Sequence, residues 1–257
     1  MSRSGASWSH RSGTEPSAES ARAFHVKSNA LAELGGHYRL DGGQLARLSA
    51  ILRELQDDSG APTTVNDAQR ATDVHLADSL VALEIEAVRA ASQIADIGSG
   101  AGFPGLALAV ALPGAAVSLV ESQRRKCEFL ERVCLAAEVE NARVVLTRAE
   151  EWSDGISRND VVVVRALAAQ PVVLEYAAPL LRLGGALVDW RGRRNAEEEA
   201  LAVCAAEQIG LRLLEIRRAE PYEGARHHHL HVYEKTAETP SRFPRRVGVA
   251  RKRPLGC

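Results

Sequence analysis

Aromatic side chains make up only 4% of this 257-residue chain, which argues against a recognition surface that stacks bases on a row of rings. No apolar run reaches the length of a membrane span, so no transmembrane helix is expected. The Ser-, Arg- and Gly-rich N-terminus lacks the apolar segment of a secretory signal, and Glu15 and Glu19 speak against a plastid-type leader. The expected location is the cytoplasm. Cysteine is sparse: Cys127, Cys134, Cys204 and Cys257 show no C-x-x-C spacing, and four reduced thiols are expected in that compartment. His227, His229 and His231 alternate on one face of a strand pattern. No cysteine or acid is placed to complete a coordination sphere there, so no metal is expected.

What is present reads as a globular α/β chain, 46% hydrophobic and 25% charged. Its net charge of −1 conceals a division. Residues 236–257 carry six basic residues against Glu238, a net +5, which leaves −6 on residues 1–235. A basic tail on an acidic body points to a polyanionic partner. Four segments are expected: a disordered extension at 1–22, a small helical cap at 23–92, a core at 93–235 and the basic tail at 236–257.

Leu45, Leu48, Ile51, Leu52 and Leu55 recur at helical spacing and predict an amphipathic helix over 43–57. Asn66 or Asp67 would cap a second helix running to about Arg89. From residue 93, strand and helix patterns alternate, which implies a parallel sheet covered on both faces. Expected strands lie near 94–97, 116–120, 142–146, 160–164 and 186–190, with a closing hairpin of 212–218 and 228–233. Seven strands, mostly parallel and closed by a hairpin, match the Rossmann-like architecture of class I methyltransferases.

The most informative segment is the turn after the first strand, Asp96-Ile-Gly-Ser-Gly-Ala-Gly-Phe-Pro-Gly105. Glycines at 98, 100 and 102 permit a tight turn and a close backbone approach by a cofactor. A dinucleotide fingerprint would place its third glycine where Phe103 stands, so pyrophosphate is disfavoured. A phosphate-free cofactor with a polar amino-acid end near Asp96 fits better, and S-adenosylmethionine is the candidate. Glu121 ends the second strand, placed to accept hydrogen bonds from ribose hydroxyls, and Ala149-Glu150 ends the third near an adenine edge. Arg165 ends the fourth strand beside the expected methyl donor. No Asn/Asp-Pro-Pro-aromatic motif for exocyclic amines follows it, nor a Pro-Cys or Thr-Cys nucleophile. A ring nitrogen with a free lone pair, such as guanine N7, fits that absence, because it needs no general base.

Several segments in order resemble the RsmG (GidB) methyltransferases of small-subunit ribosomal RNA: His75-Leu-Ala-Asp-Ser-Leu80, the glycine turn, Glu121–Leu130, Arg148-Ala-Glu150, Arg165-Ala, and Gly184-Gly185 leading to Arg191-Gly192. The tail Thr239-Pro-Ser-Arg-Phe-Pro-Arg-Arg-Val-Gly248 and the Arg-Lys-Arg-Pro-Leu255 that follows complete the resemblance over about residues 43–255. It implies methylation of N7 of one guanine near the decoding centre of 16S ribosomal RNA, alone or within the 30S subunit, with S-adenosylmethionine as donor. Gly98, Phe103, Ala149, Glu150 and Arg165 would contact the cofactor, with Asp96, Gly100 and Glu121 beside them. Arg165 is the candidate catalytic residue. His75, Asp78 and Ser79 would lie near the cleft, while Arg124, Arg125, Lys126, Arg191 and the tail would approach RNA phosphates. Phe243 is the tail aromatic suited to an RNA contact. The chain departs from the family pattern at Thr63-Thr64-Val65-Asn66, at Val164, at Arg191 in place of a lysine, and at Val249-Ala250. Three readings stay open beside this one: a paralogue acting on another RNA site or small molecule, a non-catalytic ribosome-assembly factor, and a dehydrogenase.

Overall fold

Four consecutive valines, Val161–Val164, are completely buried. A strand apolar on both faces belongs in the middle of a sheet with helices on either side. They form the centre of β4 (Asn159–Arg165) in a computed structural model that describes residues 30–58, 60–63 and 68–257. The expected extension at 1–22 and the capping pair Asn66 and Asp67 lie outside the described residues.

The other strands are β1 (Gln93–Ile97), β2 (Ala116–Glu121), β3 (Ala142–Leu146), β5 (Leu181–Arg191), β6 (Leu211–Ala219) and β7 (His228–Lys235). Their order across the sheet is β3-β2-β1-β4-β5-β7-β6. All pairings are parallel except those of β7 with β5 and β6. Strand order reverses between β1 and β4, which opens a crevice at their carboxyl ends.

Alternation along the strands divides the core in two. Ile94, Val117, Leu119, Val161, Val163 and Val188 face α1 (Gly42–Asp57), α2 (Gly105–Ala111) and α3 (Arg124–Ala136). Ala95, Ile97, Val120, Val162, Val164 and Leu187 face α4 (Gln170–Ala177) and α5 (Ala196–Glu207). Helix α1 begins with a reciprocal cap between Asp41 and Gln44. The Gln44 amide also donates to Val110 O at 2.9 Å, so it ties α1 to the end of α2.

The helix expected up to Arg89 is broken. Ala68–Ala71 leads into a π turn at Thr72–Ala77, then Asp78–Leu80, a 3-10 turn at Val81–Glu84 and Glu86–Arg89. A wide turn offsets the helical repeat, so residues around it no longer share a face. His75 therefore packs against Phe103, while Asp78 reaches β4 and β7.

The basic tail folds back onto α4. Phe243, expected to meet RNA, is instead 8% exposed in the core beside α4. Arg245 Nε donates to both oxygens of Glu175, at 2.8 and 3.1 Å, and that carboxylate is 1% exposed. Lys235, also buried, donates to Ala178 O at 2.8 Å and holds the start of the tail. The expectation of four thiols is corrected: Cys204 on α5 pairs with Cys257 in a disulfide, leaving Cys127 and Cys134 free.

Arg245→Ala strands a buried carboxylate and is expected to cost about 3 kcal/mol in urea unfolding. Adding Glu175→Gln to that variant removes the stranded charge and should recover part of the loss.

Candidate active site

The turn after β1 takes its shape from three glycines with positive φ, Gly98 (+74°), Gly100 (+55°) and Gly102 (+96°). At Gly98 a Cβ would also sit 2.6 Å from Leu167 Cδ1, so a side chain there is excluded twice. Two carboxylates hold the turn. Asp96, 1% exposed, accepts from the Gly105 amide at 2.9 Å, and burial pushes its carboxyl up to about 7. Glu121 accepts from Gly100 N at 3.2 Å, Ser122 N at 2.8 Å and Gln123 N at 2.9 Å.

A cavity of about 270 Å³ opens over this turn, lined by Gly98, Glu121, Lys126, Ala149 and Glu150, with Ala166 and Leu167 beyond β4. Four residues expected at the cofactor, Gly98, Glu121, Ala149 and Glu150, thus share one cavity with Lys126, which was expected to approach RNA. Gly100 is linked to it through Glu121. Asp96 is not among its walls: it sits beneath the turn and braces it. Phe103, 4% exposed, is also absent from the lining; its ring stacks on His75 at 4.8 Å.

A second cavity of about 350 Å³ adjoins the first at Ala166 (φ +54°) and is lined by Asp78, Arg165, Gln170, Trp190, Arg191 and His228 among others. Asp78 organises it. One oxygen accepts from Arg165 Nη1 at 3.0 Å, the other lies 2.8 Å from His228 Nδ1, and its carbonyl accepts from Trp190 Nε1 at 2.8 Å. Arg165 Nη1 also donates to Val74 O at 3.0 Å, and its guanidinium lies 5.9 Å from the Phe103 ring centre. Burial and the nearby Arg165 lower the His75 imidazole to about 4, so it is neutral at pH 7. Ser79 donates to His75 O and is fully buried, so it supports the segment from within. Arg191 donates to Ala168 O at 2.9 Å. Arg124 opens α3 exposed, whereas Arg125 lies in a separate groove with Asp57, Asp58 and Arg132.

Residues 44–220 match the GidB family, described as rRNA small subunit methyltransferase G. The chain belongs to the GidB family. It is 40% identical over 187 residues to Ribosomal RNA small subunit methyltransferase G of Rubrobacter xylanophilus, covering 70% of this chain and 72% of that one. Against the protein of the same name from Chloroflexus aggregans the identity is 38%, over 82% of this chain and 90% of that one. A predicted O-methyltransferase from Agrobacterium tumefaciens shares the fold, with a TM-score of 0.50 and 24% identity over 64% of this chain and 81% of that one. This GidB-family chain is thus a methyltransferase with the class I fold, a seven-stranded, mostly parallel sheet. Among the described residues no helix is long and apolar enough to cross a membrane.

Sequence reasoning missed several residues around the two cavities. Tyr176 and Arg251 complete the first, and Gln170, Trp190 and His228 line the second. Asp189 lies behind the second, 1% exposed, with Gln170 nearby and Arg191 Nε 3.8 Å away. Burial pushes its carboxyl up to about 7. A charged residue inside an apolar strand was the available signal. Its pairing opposite His231 on β7 was not readable from the sequence.

Gly98→Val is expected to abolish S-adenosylhomocysteine binding in calorimetry, because its side chain meets Leu167 and forces a strained backbone. A second expectation concerns pH. The unfolded Asp189 ionises near 4 and the folded one near 7, so folding loses stability as pH rises through that window. Asp189→Asn removes this loss. Its stability relative to wild type should rise between pH 4 and pH 8 by on the order of 4 kcal/mol, read by urea unfolding.

Proposed function

We propose that this protein transfers a methyl group from S-adenosylmethionine to N7 of a guanine in 16S ribosomal RNA near the decoding centre, acting in the cytoplasm on the RNA or the 30S subunit. One observation carries the reading: two cavities meet at Ala166, in the crevice where strand order reverses, with Glu121 in the first and Arg165 in the second.

The residues of the first cavity fit the donor. Gly98 brings bare backbone to the wall of the cavity, where the methionine end would approach it without a side chain between. Glu121, held by three backbone amides, keeps lone pairs for a ribose diol, because each carboxylate oxygen accepts more than one hydrogen bond. Glu150 accepts from an adenine amino group, with Ala149 beside it. When bound, the cofactor supplies an electrophilic methyl on a sulfonium sulfur.

The second cavity holds the base. Two Nη1 donors of Arg165 serve Val74 and Asp78, and the guanidinium has further N–H groups for guanine O6, next to the reacting N7. Anchored in this way, Arg165 orients the base in line with the methyl. The neutral His75 behind it adds no charge. N7 attacks with its own lone pair, so the site needs alignment rather than a proton acceptor. Lys126, Arg124, Arg191 and the exposed tail residues Arg242, Arg246, Lys252 and Arg253 meet phosphates. Arg125, in a groove with Asp57 and Asp58, is the least suited to join them.

Mass mapping of 16S ribosomal RNA from cells with and without the gene tests the target: a single guanine should lose its methyl group. Arg165→Ala is expected to lower single-turnover methylation about 100-fold with S-adenosylhomocysteine affinity within threefold of wild type. A normal rate would remove Arg165 from the site.

A further inference from the structure

The basic tail does more than present charge to solvent, because part of it closes the first cavity. After β7 the chain crosses α4, buries Phe243 and locks Arg245 onto Glu175. It then turns at Gly248 (φ +78°), whose amide donates to Glu150 Oε1 at 3.4 Å. One short helical turn later, Arg251 donates to Leu167 O at 3.3 Å and lines the cavity together with Tyr176. Tyr176 lies beside both Glu150 and Arg251 in the cavity wall. The tail thus reaches the cavity by two independent contacts, one through backbone and one through a guanidinium. Arg251 is exposed, as are Arg246, Lys252 and Arg253, but of the four only Arg251 lines the cavity.

The place of Arg251 defines what it would meet. Glu121 at the β2 end marks the ribose side of the cavity, and Glu150 at the end of β3 marks the base beyond it. Arg251 stands on the Glu150 side, with Tyr176 beside both. Adenine presents an amino donor, which suits Glu150, and ring nitrogens that only accept, which suit a guanidinium. We propose that the C-terminal segment is a wall of the cofactor site and that Arg251 donates to an adenine ring nitrogen of the bound cofactor. This assignment rests on the reading of the first cavity as the methyl-donor site.

Calorimetry on the full chain separates the two. If wild type binds neither S-adenosylhomocysteine nor adenosine, the donor-site reading fails and the assignment of Arg251 falls with it. If wild type binds, Arg251→Ala should weaken both ligands by the same factor, about tenfold, because the contact lies on the half they share. Arg53→Ala, on the exposed side of α1, should leave both affinities unchanged. Unchanged affinity in Arg251→Ala, or a loss for S-adenosylhomocysteine but not for adenosine, overturns the proposal. Hydrogen exchange on wild type gives a readout independent of any variant's folding. S-adenosylhomocysteine should slow the amides of residues 248–252, and exchange unaltered by the ligand also overturns it.

Discussion

Two buried carboxylates beneath one glycine turn carry the site. Asp96 and Glu121 end adjacent parallel strands, and each spends its oxygens on backbone amides that the turn would otherwise leave unpaired. A turn of three left-handed glycines is conformationally loose in an unfolded chain, so its shape depends on such anchors. The carboxylates differ in consequence. Asp96 is enclosed and its carboxyl is pushed up to about 7, so it serves the turn itself. Glu121 has the same anchoring role yet borders the cavity, so its remaining lone pairs are open to that space.

Asp78 plays a comparable part on the other side of the crevice. It comes from the N-terminal helical segment, but its partners sit on β4, β5 and β7. Placing it there is what joins the segment before the sheet to the second cavity. The break in the helix at Thr72–Ala77 separates the directions of His75 and Asp78. One packs flat on Phe103 under Arg165, and the other fixes Arg165 by an ion pair. Arg165 is therefore oriented by an aromatic ring below and a carboxylate beside it, which suits a residue that must hold one pose.

The tail shows how charge in a sequence divides once the chain folds. Arg245 becomes the partner of a buried carboxylate on α4, and Arg251 lines the first cavity. Arg251 and the other four cations all stay exposed, and of these five Arg251 alone borders that cavity. A count of +5 over this stretch treats all six cations alike, although inward and outward guanidinium groups do unrelated work. Phe243 follows the same logic: apolar surface in a basic segment is buried against the core, where it gains more than at a wet interface.

Local pattern was enough for the elements and for half the site. Strand and helix periodicity, the glycine turn, Glu121 at a strand end and Ala149-Glu150 at the next are all contained in short stretches of chain, and they meet in one cavity. The parallel pairing and the closing hairpin follow from the same alternation, whereas the order of strands across the sheet came only from the fold. The direction of a side chain within a broken helix did not follow, nor the meeting of Asp189 with His231, nor the return of the tail to Glu150 and Tyr176. Those contacts join residues far apart in sequence, and neither partner alone carries a signal of the other. Sequence alone determined which backbone segments form and which strand ends bear polar groups, because those depend on neighbours in the chain. Only tertiary packing decided which cations face inward, because burial of a charge is set by the partner that folding brings to it.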